Sequence, residues 1–263
     1  MLELTGIVKT FFKGTVNEKT ALRGVDLRLE SGDFTTVIGG NGAGKSTLLN
    51  SIAGVFPVDE GKIVINDTDV TKMPEYKRAA FIGRVFQDPM LGTAGNMQIE
   101  ENLLLALRRG KRMGLKWAFV PKEREFFKER LSLLGLGLED RLTARMGLLS
   151  GGQRQSITLL MATMMRPDLL LLDEHTAALD PKTAANVLTL TEQLVEEHKL
   201  TTLMITHNMR DALRYGNRLI MMDNGKIIFD VRDEEKKKLT VKDLLERFEV
   251  AGEGDLSDRM MLG

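Results

Sequence analysis

Residues Gly39-Gly40-Asn41-Gly42-Ala43-Gly44-Lys45-Ser46 read as a phosphate-binding loop, and the short apolar run Phe34 to Ile38 stands directly before them. An apolar strand, a glycine loop and then a helix, expected from about Lys45 to Ala53, is the order this motif requires. The glycines let backbone N–H groups turn inward around phosphate oxygens, and the helix adds the positive end of its dipole. Lys45 is placed to reach the β- and γ-phosphates, and Ser46 to set its hydroxyl on Mg²⁺. The stretch therefore predicts an α/β core that binds a nucleotide.

Two further stretches stand downstream. Leu169 to Glu174 reads L-L-L-L-D-E, an apolar strand that ends in two carboxylates. A buried strand terminus is a rigid mount, and Mg²⁺ keeps most of its water shell, so Asp173, Ser46 and phosphate oxygens suffice to hold it. Glu174, one residue on, points elsewhere along the backbone. Between the two halves lies Leu149-Ser150-Gly151-Gly152-Gln153. Ser150, Gly151 and Gly152 precede a helix whose N-terminus again favours an anionic oxygen.

With these three stretches in this order, nearly the whole chain resembles the ATP-binding subunit of an ABC transporter. The resemblance implies ATP and Mg²⁺ as cofactors and ATP hydrolysis as the activity. It makes Glu174 the general base for the attacking water and Gln87 a glutamine that touches Mg²⁺ or that water. It makes His207 a contact to the γ-phosphate, Thr47 a contact to the α-phosphate and Phe11 the face on which adenine stacks. Ser150, Gly151, Gly152 and Gln153 would meet the ATP of a second copy, and Asp180 would approach the opposing phosphate loop. The expected partners are thus a second ATPase subunit in a two-fold homodimer, transmembrane permease subunits and a substrate-binding lipoprotein, with no nucleic acid. The place of work would be the cytoplasmic face of the membrane, held there through the permease. His175 stands where many relatives have proline, Ala177 where serine is frequent, and Asn208 where aspartate is frequent; none of these removes a group that hydrolysis requires. The string D-E-H-T-A-A-L-D-P, Asp173 to Pro181, resembles a bacterial importer subgroup linked to tryptophan or tyrosine uptake.

The implied fold is a P-loop NTPase core with a mainly parallel sheet, an N-terminal antiparallel β subdomain and an inserted helical subdomain. The pattern along the chain agrees. Residues 1–35 alternate apolar and polar positions with a turn-rich break at Gly14 to Lys19, as antiparallel strands do, which would put Phe12 on the face opposite Phe11. Gly61 to Asn66 and Phe81 to Gln87 read as strands. Helical sequence fills about 89–165, with its clearest pieces at Glu100 to Arg109, Lys122 to Leu134 and Gly151 to Met165. A helix from Pro181 to His198, a strand from Thr201 to Thr206 and a hairpin around Asn224-Gly225 complete the core. Residues 1–248 are read as one ATPase domain, with a helix at Val241 to Phe248 and a tail at 249–263.

Lys plus Arg and Asp plus Glu each number 37, so the formal net charge is zero, which argues against a chain that coats nucleic acid. The basic run Arg108 to Arg112 reads as a solvated helix end. The absence of cysteine excludes disulfides and thiolate metal sites and fits a reducing cytosol. The N-terminus lacks the basic start and apolar stretch of a signal peptide, and no apolar run is long enough to span a bilayer. Membrane work would go through a partner, with the segment Pro89 to Met97 receiving a short permease helix. An ATP clamp acting on ribosomes or DNA is the alternative, but those relatives carry two ATP-binding domains or a long coiled-coil insertion. About a hundred residues separate Gly44 from Leu149, without sustained heptads.

Overall fold

The computed structural model describes residues 1–111 and 121–250; Arg112 of the basic run and residues 251–263 of the expected tail lie outside them. The chain opens with β1 (Leu2–Phe11), β2 (Lys19–Leu29) and β3 (Phe34–Gly39), then α1 (Lys45–Ala53), β4 (Glu60–Ile65), β5 (Thr68–Asp69), α2 (Glu75–Arg78) and β6 (Ile82–Val85). Helices α3 (Ile99–Leu107), α4 (Pro121–Ser132) and α5 (Gly151–Thr163) follow. The chain then returns through β7 (Leu169–Asp173), α6 (Pro181–His198), β8 (Thr202–Ile205) and α7 (Met209–Arg214). It closes with β9 (Arg218–Asp223), β10 (Lys226–Arg232), α8 (Asp233–Lys237) and α9 (Val241–Val250).

Two sheets organise these elements. One has the order β2-β1-β4-β5 and is antiparallel throughout. The other has the order β10-β9-β3-β8-β7-β6, with parallel pairing from β9 to β6 and β10 antiparallel at its edge. Strands covered on both faces need continuous apolar runs, and Leu169, Leu170, Leu171 and Leu172 supply one with no exposed surface. A core cluster fills the space between the antiparallel sheet, α1 and one face of the parallel sheet, through Leu22, Leu49, Ile63, Leu171 and Ile220. Leu170, Leu172, Leu188 and Met204 pack on the opposite face, under α6. The inserted helices have a centre of their own, in which Leu103, Phe127, Leu131 and Ile157 are fully buried.

Besides the short elements β5, α2, α7 and α8, which the sequence reading did not contain, the structure differs from it in four places. In β1 a register shift falls between Leu4 and Ile7, where Gly6 has φ 59°, so the buried face passes from Leu2 and Leu4 to Ile7. Phe12 is not on the opposite face of a strand: β1 ends at Phe11, and Phe12 turns out with φ 53° and 69% exposure. Strand β6 stops at Val85, two residues short of the expected Gln87. The basic run is only partly solvated, because Arg109 is half-buried and donates to Ala162 O at 3.4 Å, and Arg108 meets Glu123 at 3.4 Å. Periodicity could not report these, since each is decided by what the neighbouring element presents.

Candidate active site

Strand β3 runs straight into the phosphate loop and α1 takes the chain away from it. Gly44 sits at the N-cap of α1 with φ 101°, and a Cβ there would lie 2.6 Å from the carbonyl oxygen of Ala21. Both the backbone angle and the close approach of β2 restrict this position to glycine. Lys45 is buried, and its Nζ donates to Gly39 O at 2.6 Å and Gly40 O at 2.9 Å. The loop thus folds around its own ammonium group. In front of it opens a cleft of about 340 Å³, walled by Asn41, Gly42, Ala43, Gly44, Lys45, Ser46 and Thr47, with Phe11 on one side and Glu174 on the other.

The ring of Phe11 stands edge-on to Phe56, with centroids 5.2 Å apart, and the Lys9 ammonium lies 5.5 Å from its centre. Lys19, the cross-strand partner of Phe11, also lines the cleft, and its Nζ is 3.4 Å from where a Cβ on Gly42 would stand. It brings a second ammonium beside the loop. No motif marks it, and it is legible only once β1 and β2 are paired.

Asp173 ends β7, and Glu174 follows in the left-handed region with φ 46°, its N–H bonded to Ile205 O at 3.0 Å. The turn sends the two neighbouring carboxylates in different directions. His207, just past the end of β8, places Nδ1 3.6 Å from Oε2 of Glu174, an electrostatic contact rather than a formed hydrogen bond. The facing imidazole is the largest influence on Glu174 and, with Lys45, holds its carboxyl below the usual range against the opposing effect of burial. Asp173 is shifted the other way: burial raises it, Glu174 adds to the rise, and Arg84 and Lys45 offset part of it. Two adjacent carboxylates are therefore separated in acidity by their surroundings.

Arg84, on β6, lies 3.8 Å from Asp173 and donates to Oδ1 of Asn50 on α1 at 2.7 Å. It joins the metal-candidate carboxylate to the helix of the phosphate loop, a link that no motif signalled. Among the described residues no cluster of three or more His, Asp or Glu could hold an ion. The donors available are the Asp173 carboxylate and, on the cleft wall, the Ser46 hydroxyl: hard oxygens that suit a Mg²⁺ ion coordinated mostly by water and phosphate.

Other expected site residues stand apart from this cleft. Gln87 is exposed beyond β6. Ser150 caps α5, accepting from Gln153 N at 3.3 Å, while the Gln153 side chain accepts from Ser150 N at 3.2 Å. That reciprocal pair satisfies the first turn of the helix. Gly152 packs so closely on Thr183 of α6 that a Cβ would collide with its methyl group. Asp180 caps α6, accepting from Thr183 N at 3.1 Å. Among the described residues lining the phosphate cleft, none comes from Ser150–Gln153 or Asp180. Ser150, Gly151 and Asp180 are exposed.

A nucleotide cleft on this α/β framework, with a carboxylate on its wall, an imidazole facing that carboxylate and a capped glycine helix start outside it, defines a class of ATPase. The family model described as ABC transporter matches residues 22–177. The chain is 45% identical over 251 residues to the tyrosine transport ATP-binding protein of Clostridioides difficile, covering 95% of this chain and 100% of that one. It is 36% identical over 224 residues to the methionine import ATP-binding protein MetN 2 of Enterococcus faecalis, covering 84% of this chain and 62% of that one. Among solved structures it is similar to a dimeric post-hydrolysis ATP-binding cassette bound to ADP and Pi. That match has a TM-score of 0.75 and 29% identity and covers 88% of this chain and 98% of that one. The chain belongs to the ABC transporter family, as an ATP-binding subunit that hydrolyses ATP. No helix among the described residues is long and apolar enough to cross a membrane.

Proposed function

We propose that this subunit drives uptake of an aromatic amino acid, tyrosine or tryptophan, by hydrolysing ATP between two copies of itself. The 45% identity to a tyrosine transport ATP-binding protein supports the substrate class, together with the Asp173 to Pro181 string. In this reading Phe11 stacks on the base, and the N–H groups of Gly39 to Gly44 surround the phosphates with Lys45 and Thr47. Glu174 takes the proton of the attacking water as its oxygen bonds to the γ-phosphorus. The bond to the β-phosphate oxygen breaks, and ADP and inorganic phosphate leave. His207 steadies Glu174 and contacts the γ-phosphate. Ser46, Asp173 and Gln87 would hold Mg²⁺, which supplies charge neutralisation on the phosphates.

Ser150 to Gln153 and Asp180 lie outside their own cleft, which fits a site completed by a second copy, as in a two-fold dimer. Exposed Met90, Leu91 and Leu148 form an apolar surface suited to a permease helix. A binding lipoprotein would deliver the amino acid, and the subunit would be held at the cytoplasmic face of the membrane through the permease. Residues 1–248 would act as one ATPase domain.

The observation that carries this reading is the Glu174 carboxylate, held ionised beside His207 at the wall of the phosphate cleft. The test is Glu174→Gln. ATP affinity is expected to stay within about twofold while hydrolysis falls by about 10³. A variant that hydrolyses ATP at the wild-type rate overturns the assignment.

A further inference from the structure

Gln155 has no part in the reading above. It lies on α5, within the second turn after Ser150, and has no exposed surface. Its Nε2 donates to two main-chain carbonyls, Phe86 O at 3.1 Å and His175 O at 2.7 Å. Phe86 precedes Gln87, and His175 follows Glu174. One amide group therefore joins the helix that begins at Gly151 to the two segments carrying those side chains.

The orientation of the amide is fixed by chemistry: turned over, it would aim an oxygen at two carbonyl oxygens. Its own Oε1 is buried and has no hydrogen-bond partner among the described residues. A buried acceptor without a partner costs stability, and an apolar side chain of similar volume would avoid that cost. Packing alone therefore does not account for glutamine here; its two N–H donors do. Further along α5 the helix touches β6, the strand just before Phe86, directly, since a Cβ on Gly83 would lie 2.5 Å from Ala162 O. Helix α5 thus meets β6 through bare backbone at one end and, through Gln155, holds the residue that follows β6 at the other.

We propose that Gln155 is a positioning residue that fixes the backbones of Glu174 and Gln87 relative to the helix beginning at Gly151, so that a displacement of that helix is felt at the attacking water. The inference rests on the assignment of Glu174 as the base. Cleft residues that bind phosphate lie on a different segment, so nucleotide binding should be spared.

The experiment is Gln155→Met, which keeps volume and removes both donors, assayed in the full chain. ATP affinity, read by calorimetry, is expected to change by less than about twofold, while kcat falls about 10- to 100-fold. Gln155→Glu is the second variant. Ionised, it faces two carbonyls with acceptors alone; protonated, it donates one bond. Its kcat relative to wild type is therefore expected to fall as pH rises from about 6 to 8.5. A wild-type kcat in Gln155→Met overturns the proposal. So does a joint loss of kcat, ATP affinity and melting temperature, or a pH profile of Gln155→Glu parallel to wild type. Glu174→Gln run alongside separates this failure from that of the base assignment, because a fully active Glu174→Gln sinks the base and not the link.

Discussion

The phosphate loop and the Asp173–Glu174 corner stand at the ends of β3 and β7, with β8 between them, and they are built by opposite means. The loop is made from consecutive residues and offers backbone N–H groups; its one buried charged side chain, Lys45, is satisfied by carbonyls of the same loop. The corner is made from side chains and carbonyls gathered from β6, α1, α5, β7 and the turn after β8. Such a loop has no room for an added methyl group at Gly39 or Gly44 and little sensitivity to distant charge. A corner of that kind tolerates changes in size but responds to every charge and hydrogen bond placed beside it.

The sharpest way to break this contrast is to add one carbon to the loop. Gly44→Ala puts a Cβ against Ala21 O in a conformation with φ 101°. ATP affinity should fall by on the order of 10³, read by calorimetry on folded protein, because strain and displacement of the loop add. A variant that binds ATP normally would show that the loop yields as easily as the corner.

The corner is tested next by removing a neighbour. His207→Ala should lower kcat about 100-fold, roughly 2.7 kcal/mol, with ATP affinity changed far less. Loss of the imidazole also lets the Glu174 carboxyl rise toward its ordinary range. The base must be ionised to act, so the acid limb of the kcat profile should move to higher pH. An unmoved acid limb would mean that His207 does not set the acidity of Glu174.

The smallest effect sharpens the comparison through stability. Burial depresses His175 from 6.5 to about 4, so the folded protein keeps it neutral while the unfolded chain takes up a proton below about 6.5. Its effect is nil at pH 8 and grows as pH falls toward 4, reaching about 1.4 kcal/mol of lost stability at pH 5.5. Thermal unfolding at the two pH values should show that loss in wild type and its absence in His175→Leu. The Thr191 hydroxyl, now 3.1 Å from the imidazole, keeps its bond to Val187 O at 2.8 Å in that variant. An equal pH slope in both proteins would place the sensitivity elsewhere.

The same contrast governs what could be read without coordinates. The phosphate loop, β7, the full extent of α6 and the hairpin at Asn224-Gly225 are visible in the chain, because each is specified by neighbours within a few residues. A capped proline start fixes α6 and four leucines fix β7. Lys19, Arg84 and Gln155 carry no local mark. Each acts across a strand pair or a helix–sheet contact, and a lone Lys, Arg or Gln in a sequence looks like any other polar residue. Phe12 and the end of β6 are misplaced for the same reason, since a strand ends where its cross-strand pairing ends.

By itself the sequence determines the local pieces: which residues make the glycine loop, which carboxylates stand at the end of β7, and where the helix at Gly151 begins. These depend on residue type and short spacing, which the covalent chain carries directly. The tertiary structure decides acidity and coupling. It sets Glu174 below and Asp173 above their ordinary values, brings Lys19 beside Phe11, and routes α5 through Gln155 to both flanks of the site. Those properties belong to distances between segments that lie up to more than a hundred residues apart, and burial and electrostatics act through space rather than along the chain.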